Sequence, residues 1–177
     1  DTTAPVVQAA PIAAPQASRA PATGPTAIDV ADIYRRSGPG VVQITSTSTG
    51  RSGVDVFGNP TAGQAQQALG SGFVVDKDGH IVTNYHVVQG AARVEVSFSN
   101  QDTVKATIVA TDPSTDLALL KVDAPAKALT PLSLADSDNV QVGDPVVAIG
   151  NPFGLDRTVT AGIVSALQRE VRAPNNY

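Results

Sequence analysis

Cysteine, methionine and tryptophan are absent from these 177 residues, and aromatic residues make up only 4% of them. Without cysteine the chain has neither a disulfide nor a thiolate metal ligand. The missing methionine leads us to expect a chain processed, trimmed or excerpted at its N-terminus, a removed signal peptide being one route. Only two histidines are present, His80 and His86, so imidazole chemistry has two addresses. No run of about 18 apolar residues occurs, so no segment has the length of a membrane-spanning helix. Basic charge is scarce as well: 12 Lys and Arg stand against 16 Asp and Glu, with a net charge of −4 and no basic cluster beyond Arg35-Arg36. That balance argues against nucleic acid or an anionic membrane as a partner.

What remains is an aliphatic chain. With 42% hydrophobic residues and few rings, a core must be built from Val, Ile, Leu and Ala, a composition that favours strands. Residues 1–26 stand apart, since eight alanines and five prolines fill half of them. Prolines at this spacing prevent helix and strand, and we expect an extended, disordered linker that could serve as a stalk. Residues 27–39 predict one short helix, capped by Thr26 or Asp29 and stopped at Gly38-Pro39, with Ile28, Ala31 and Tyr34 or the stem of Arg35 on one face. A packing or trimer-contact role suits it.

From Gly40 the hydrophobic period changes to two. Strands are predicted at Val41–Thr47, Gly70–Val75, His80–Asn84, Arg93–Phe98, Thr103–Thr111 and Leu117–Val122, the fifth with Val104, Ala106, Ile108 and Ala110 inward. Between the first two, residues 49–69 read as a long surface loop. Asp76-Lys77-Asp78-Gly79 reads as a tight turn, and Tyr85–Gln89 as a helical turn ended by Gly90. Six short strands with no long helix between them predict a closed antiparallel barrel over 40–122. A connector, 123–131, follows, and 132–177 begin a second β unit with strands at Pro145–Ile149 and from Arg157 to about Leu167. Two or three strands cannot close a barrel, so this second unit is expected to be incomplete.

The chemistry centres on Thr83-Asn84-Tyr85-His86-Val87-Val88 and, thirty residues later, Thr115-Asp116-Leu117. A histidine and an aspartate, each at the lip of a strand, are two parts of a nucleophile-activating relay. The bland reading of His86 is a packed histidine, and Asp112 rivals Asp116 but sits in an Asp-Pro turn. His80 reads as a hairpin residue, and a His80–His86 metal site lacks a third ligand nearby. Ser71, between Gly70 and Gly72, is better read as a small residue permitting close packing than as a nucleophile. Ser133 and Ser165 lack a nucleophile elbow, and Gly150–Gly154 is no phosphate loop because no lysine follows.

Six collinear stretches resemble the HtrA/DegP family of trypsin-like serine proteases. They are Gly70-Ser71-Gly72-Phe73-Val74-Val75, Thr83 to Val88, Asp112-Pro113 through Leu120, Leu134-Ala135-Asp136-Ser137 with Val142-Gly143-Asp144, Ala148 to Leu155, and Thr158 to Ala166. The resemblance implies an all-β, chymotrypsin-like double β-barrel with its active site between the barrels, the first barrel complete and the second truncated. It implies His86 as general base, Asp116 as its orienting carboxylate, no metal and no cofactor. It further implies a nucleophilic serine and oxyanion-hole amides in a Gly-Asn-Ser-Gly-Gly segment that does not occur here, so the chain alone is expected to be inactive. Unfolded or damaged polypeptides would be the substrates and a homotrimer or larger homo-oligomer the assembly. The setting would be the bacterial periplasm or cell envelope, with a membrane tether upstream of residue 1. The alternative at this point is a non-catalytic, chaperone-like polypeptide-binding barrel.

Overall fold

The computed structural model describes residues 28–49, 53–54, 60–61, 65–99, 102–151 and 158–168. The Ala/Pro-rich stretch, the start of the predicted helix at Ala27, most of the Gly150–Gly154 turn and the last nine residues lie outside the described residues.

Helix α1 (Val30–Ser37) is capped by Asp29, whose carboxylate accepts the Asp32 N–H at 2.9 Å. Its acidic first turn and basic last turn suit the helix dipole, and Arg35 and Arg36 both reach back to Asp32. The half-buried face runs through Val30, Ile33, Tyr34 and Ser37, whereas Ala31, expected on it, is exposed. The helix is rotated because Ile33 and Ser37 turn toward the second sheet. Gly38–Gly40 form a 3₁₀ turn and strand β1 (Val41–Ser48) begins.

Short strands β2 (Gly53–Val54) and β3 (Pro60–Thr61) pair with each other. β4 (Gln66–Val74) starts four residues earlier than the Gly70 expected from sequence, because Gln66 to Leu69 find partners in Ser48 to Thr45. β5 (His80–Asn84), the turn α2 (Tyr85–Val88), β6 (Arg93–Ser97), β7 (Thr103–Asp112) and β8 (Leu117–Val122) complete the unit. β1, β4, β5, β8, β7 and β6 close into one antiparallel barrel, which leaves no sheet edge among these strands.

The barrel interior is aliphatic: Val42, Ile44, Val74, Ile81, Val96 and Leu120 are fully buried, and Phe98 is the one ring in the buried cluster of the described residues. The predicted inward set on β7 holds only in its first half. Val104 is partly buried and Ala106 buried, but Ile108 and Ala110 are exposed, as is every residue from Thr107 to Asp112, and a bulge at Val109 breaks the register with β8. Leu129, buried completely, packs into the barrel cluster from the connector. The Lys77 ammonium donates to the carbonyls of Ala126 and Leu129 and ties that connector to the β4–β5 turn.

Beyond it, β9 (Pro145–Gly150) and β10 (Thr158–Ile163) form a two-stranded antiparallel sheet. β10 ends four residues short of Leu167. There Val164 leaves the ladder and exchanges bonds with the turn before β9: its N–H donates to Asp144 O and its carbonyl accepts from Gly143 N.

Gly79 supplies the positive φ expected of its turn, +96°, and a Cβ there would strike the Val122 carbonyl oxygen. Gly79→Ala therefore combines backbone strain with a clash against backbone, and should cost about 2 kcal/mol. Urea denaturation would read this as a lower midpoint at unchanged slope.

Candidate active site

β5 runs out of the barrel at Asn84 and passes at once into the turn α2, which carries His86. That turn is clamped from beneath. Val87 and Val88 are buried, and the Ser46 hydroxyl donates to the Val87 carbonyl at 2.6 Å from inside the barrel wall. Gly70 lies so close that a Cβ on it would overlap the Val87 side chain. Ser71 is fully engaged: its carbonyl accepts from the Thr83 hydroxyl at 2.8 Å, and its own hydroxyl accepts the Asn151 N–H at 2.8 Å. The Gly-Ser-Gly strand is thus a platform beneath the histidine turn, and through the Ser71 hydroxyl, which the sequence reading gave no bond, it is also a tie to the second sheet.

Asp116 closes the β7–β8 connection. Asp112 organises that turn by accepting from the Ser114 N–H at 2.9 Å, from the Ser114 hydroxyl, and from the Thr115 hydroxyl at 2.7 Å. These bonds, the Ser114 hydroxyl foremost, hold the Asp112 carboxyl below the ordinary carboxylate range. Its capacity is spent locally, and it contacts neither histidine among the described bonds. Asp116 itself sits at φ +55°, in the left-handed region that a non-glycine residue occupies only when its surroundings compel it.

The surroundings are three consecutive residues of the other connection. Asn84 donates its side-chain amide to the Asp116 carbonyl at 3.3 Å and to Oδ2 at 3.2 Å. The Tyr85 N–H donates to the same carbonyl at 3.0 Å. His86 donates its backbone N–H to Oδ1 at 2.9 Å, and its ring Nδ1 lies 2.7 Å from Oδ2. The two predicted residues are therefore brought together. The sequence reading missed Asn84 and Ser46, and only the side chain of a residue two before the histidine could have drawn attention to the first.

The backbone N–H of His86 is the leading cause that lowers the Asp116 carboxyl below its usual range; partial burial opposes it, and the His86 ring and the Asn84 amide add to it. An ionised carboxylate has no proton to give, so a neutral His86 must carry its hydrogen on Nδ1. The Nε2 lone pair is then free, on a side chain that is 56% exposed. Among the described residues no serine hydroxyl is hydrogen-bonded to this ring.

His80 makes a similar double contact at the opposite end of β5, with Asp76 Oδ1 accepting its N–H at 3.0 Å and Oδ2 lying 2.6 Å from Nδ1. It belongs to the β4–β5 turn, and no group of three metal-ligating side chains occurs among the described residues. A cleft of about 450 Å³ has Ser71, Thr83, Asn84 and Leu117 on the barrel side and Val147 and Ile149 opposite; neither His86 nor Asp116 lines it.

Because the folded Asp116 titrates below its unfolded value of about 4, its contribution to stability is complete above about pH 4 and is lost as pH falls through the folded value. Asp116→Asn replaces an acceptor oxygen by a donor facing two donors. The difference in urea midpoint between wild type and Asp116→Asn should be widest at neutral pH and narrow progressively below pH 4; a difference constant from pH 7 to 2.5 would refute the charge-based account.

The trypsin-like peptidase domain model matches residues 70–177. Protease Do-like 1, chloroplastic, of Arabidopsis thaliana is 43% identical over 141 residues, covering 78% of this chain and 31% of that protein. Periplasmic serine endoprotease DegP of Escherichia coli K12 is 49% identical over 123 residues, covering 68% of this chain and 26% of that protein. Among solved structures, the HtrA-type protease AlgW with a decapeptide superposes with a TM-score of 0.66 at 31% identity, covering 81% of this chain and 47% of that one. AlgW with a tripeptide gives 0.69 at 34% identity, covering 84% and 43%. The chain thus spans about a third or less of the length of these curated relatives.

Proposed function

The chain belongs to the trypsin-like peptidase family, in its HtrA branch, and from that premise we propose that it supplies the base and orienting carboxylate of a serine endopeptidase. The observation that carries this reading is the His86–Asp116 pair, with Nδ1 at 2.7 Å from Oδ2 and Nε2 left free to accept a proton. His86 takes the hydroxyl proton of a nucleophilic serine as that serine attacks a peptide carbonyl, and later gives it to the departing amine. Asp116 holds the ring in the tautomer that leaves Nε2 unprotonated and stabilises the imidazolium formed in between. The serine and its oxyanion donors come from a further part of the protease domain. In this reading residues 40–122 are the first of two barrels, 123–131 the connector and 132–177 the start of the second.

Unfolded or damaged polypeptides are the substrates we assign. AlgW structures are described with a tripeptide and with a decapeptide, and the relatives are named as proteases. We place the protein outside the cytoplasm, in the bacterial periplasm or cell envelope, in keeping with the periplasmic relatives; the Arabidopsis relative is chloroplastic. A homotrimer or larger homo-oligomer, and a tether ahead of residue 1, complete the proposal. The non-catalytic alternative is disfavoured by the relatives, which are named as proteases.

His86→Ala in the intact protease should lower kcat on unfolded casein by roughly 10⁴- to 10⁶-fold and stop labelling by a serine-directed fluorophosphonate. The 177-residue polypeptide alone should leave casein intact. Undiminished hydrolysis by His86→Ala would end the proposal.

A further inference from the structure

We propose that Asn84 is a positioning residue for the His86–Asp116 pair, holding the carboxylate by two donated bonds so that Oδ2 stays aimed at the imidazole. This rests on the catalytic reading above. Asn84 is the residue ahead of α2, where an asparagine side chain ordinarily accepts an N–H of the following turn. It makes no such bond here. Its amide points across to the β7–β8 connection instead, 3.3 Å from the Asp116 carbonyl and 3.2 Å from Oδ2. Both neighbours are pure acceptors, so the amide can face them only with its NH₂, and the orientation follows from chemistry.

The two bonds do different things. The one to the carbonyl shares, with the Tyr85 N–H, the work of keeping Asp116 at φ +55°. The one to Oδ2 places a second donor on the oxygen that receives the ring Nδ1, which fixes the carboxylate's rotation about its last bond. His86's backbone N–H holds Oδ1 alone, and a carboxylate held at one oxygen can still swing the other. Asn84 thus turns a contact into a defined geometry, and its partly exposed neighbour His86 gains a ring orientation that packing does not supply. Asn84 itself reaches the histidine only through Asp116.

The test has two arms. In the 177-residue chain at a pH where the imidazole is neutral, long-range ¹H–¹⁵N spectra report which ring nitrogen of His86 carries the proton. Wild type should show predominantly Nδ1–H. Asn84→Ala should shift the population toward Nε2–H, and Asn84→Asp, which swaps the donor for an acceptor of equal size, should shift it further, with His80 as the unchanged internal control. In the intact protease Asn84→Ala should lower kcat about ten- to a hundredfold at nearly constant KM. Thermal unfolding separates this from loss of fold. An unshifted tautomer in a folded Asn84→Ala overturns the proposal, as does a loss of activity that appears wholly in KM. Should His86→Ala remain active while the tautomer shift is seen, the catalytic reading fails and the positioning stands.

Discussion

Everything at the candidate site depends on one aspartate being held from both ends. Asp116 accepts through its carbonyl and through both carboxylate oxygens, and every donor comes from the three successive residues Asn84, Tyr85 and His86. A left-handed backbone at a residue with a side chain costs free energy of order 1 kcal/mol, and it persists only where other contacts over-determine it. Here the same bonds that impose the strain also aim the carboxylate. The geometry is therefore not a by-product of two loops meeting; it is what fastens the β5 exit to the β8 entrance.

That fastening works because β5 and β8 are already neighbours in a closed barrel, with Asn84 opposite Leu117 in the ladder. The register sets the distance between the connections to within a fraction of a residue spacing, and the side chains need only finish the approach. Below the turn, removal of side chains has the same purpose. Gly70 lets β4 pass against Val87, and Gly72 brings the strand close to the Val82 carbonyl and Ile81. Ser46 then satisfies the Val87 carbonyl from inside the wall, where an unpaired acceptor would cost more than the bond returns. A buried cluster that holds one ring among the described residues is compatible with such close approach because small branched side chains leave the strands free to pack tightly.

The parts of this arrangement that were legible in the sequence are those governed by local rules. Alternation located all six barrel strands, the Gly79 turn needed positive φ, and the histidine and aspartate stood at strand ends. What escaped depends on pairing. The early start of β4 at Gln66 reflects partners on β1 that composition, rich in Gln and Ala, does not announce. The bulge at Val109 defeats alternation because Ile108-Val109-Ala110 carries no glycine to mark it. The end of β10 is decided by a bond to Asp144, twenty residues away. Asn84 had no role assigned from sequence; its use on a neighbouring turn follows only from three-dimensional placement.

The two halves of the chain differ in how much they rely on further contacts. Each strand of the barrel has two partners, and the His86–Asp116 pair lies wholly within it. Among the described residues the β9–β10 sheet has only the pairing between its own two strands, with Val146 and Ile163 exposed, and an isolated two-stranded unit is marginal in water. Its attachment includes the Asn151 N–H to Ser71 bond and the wall formed by Val147 and Ile149. Asn151 also keeps Oδ1 buried without a partner, so the junction is where the described structure is least satisfied. His86 and Asp116 are thus built on the barrel half, and their alignment does not wait on the second sheet.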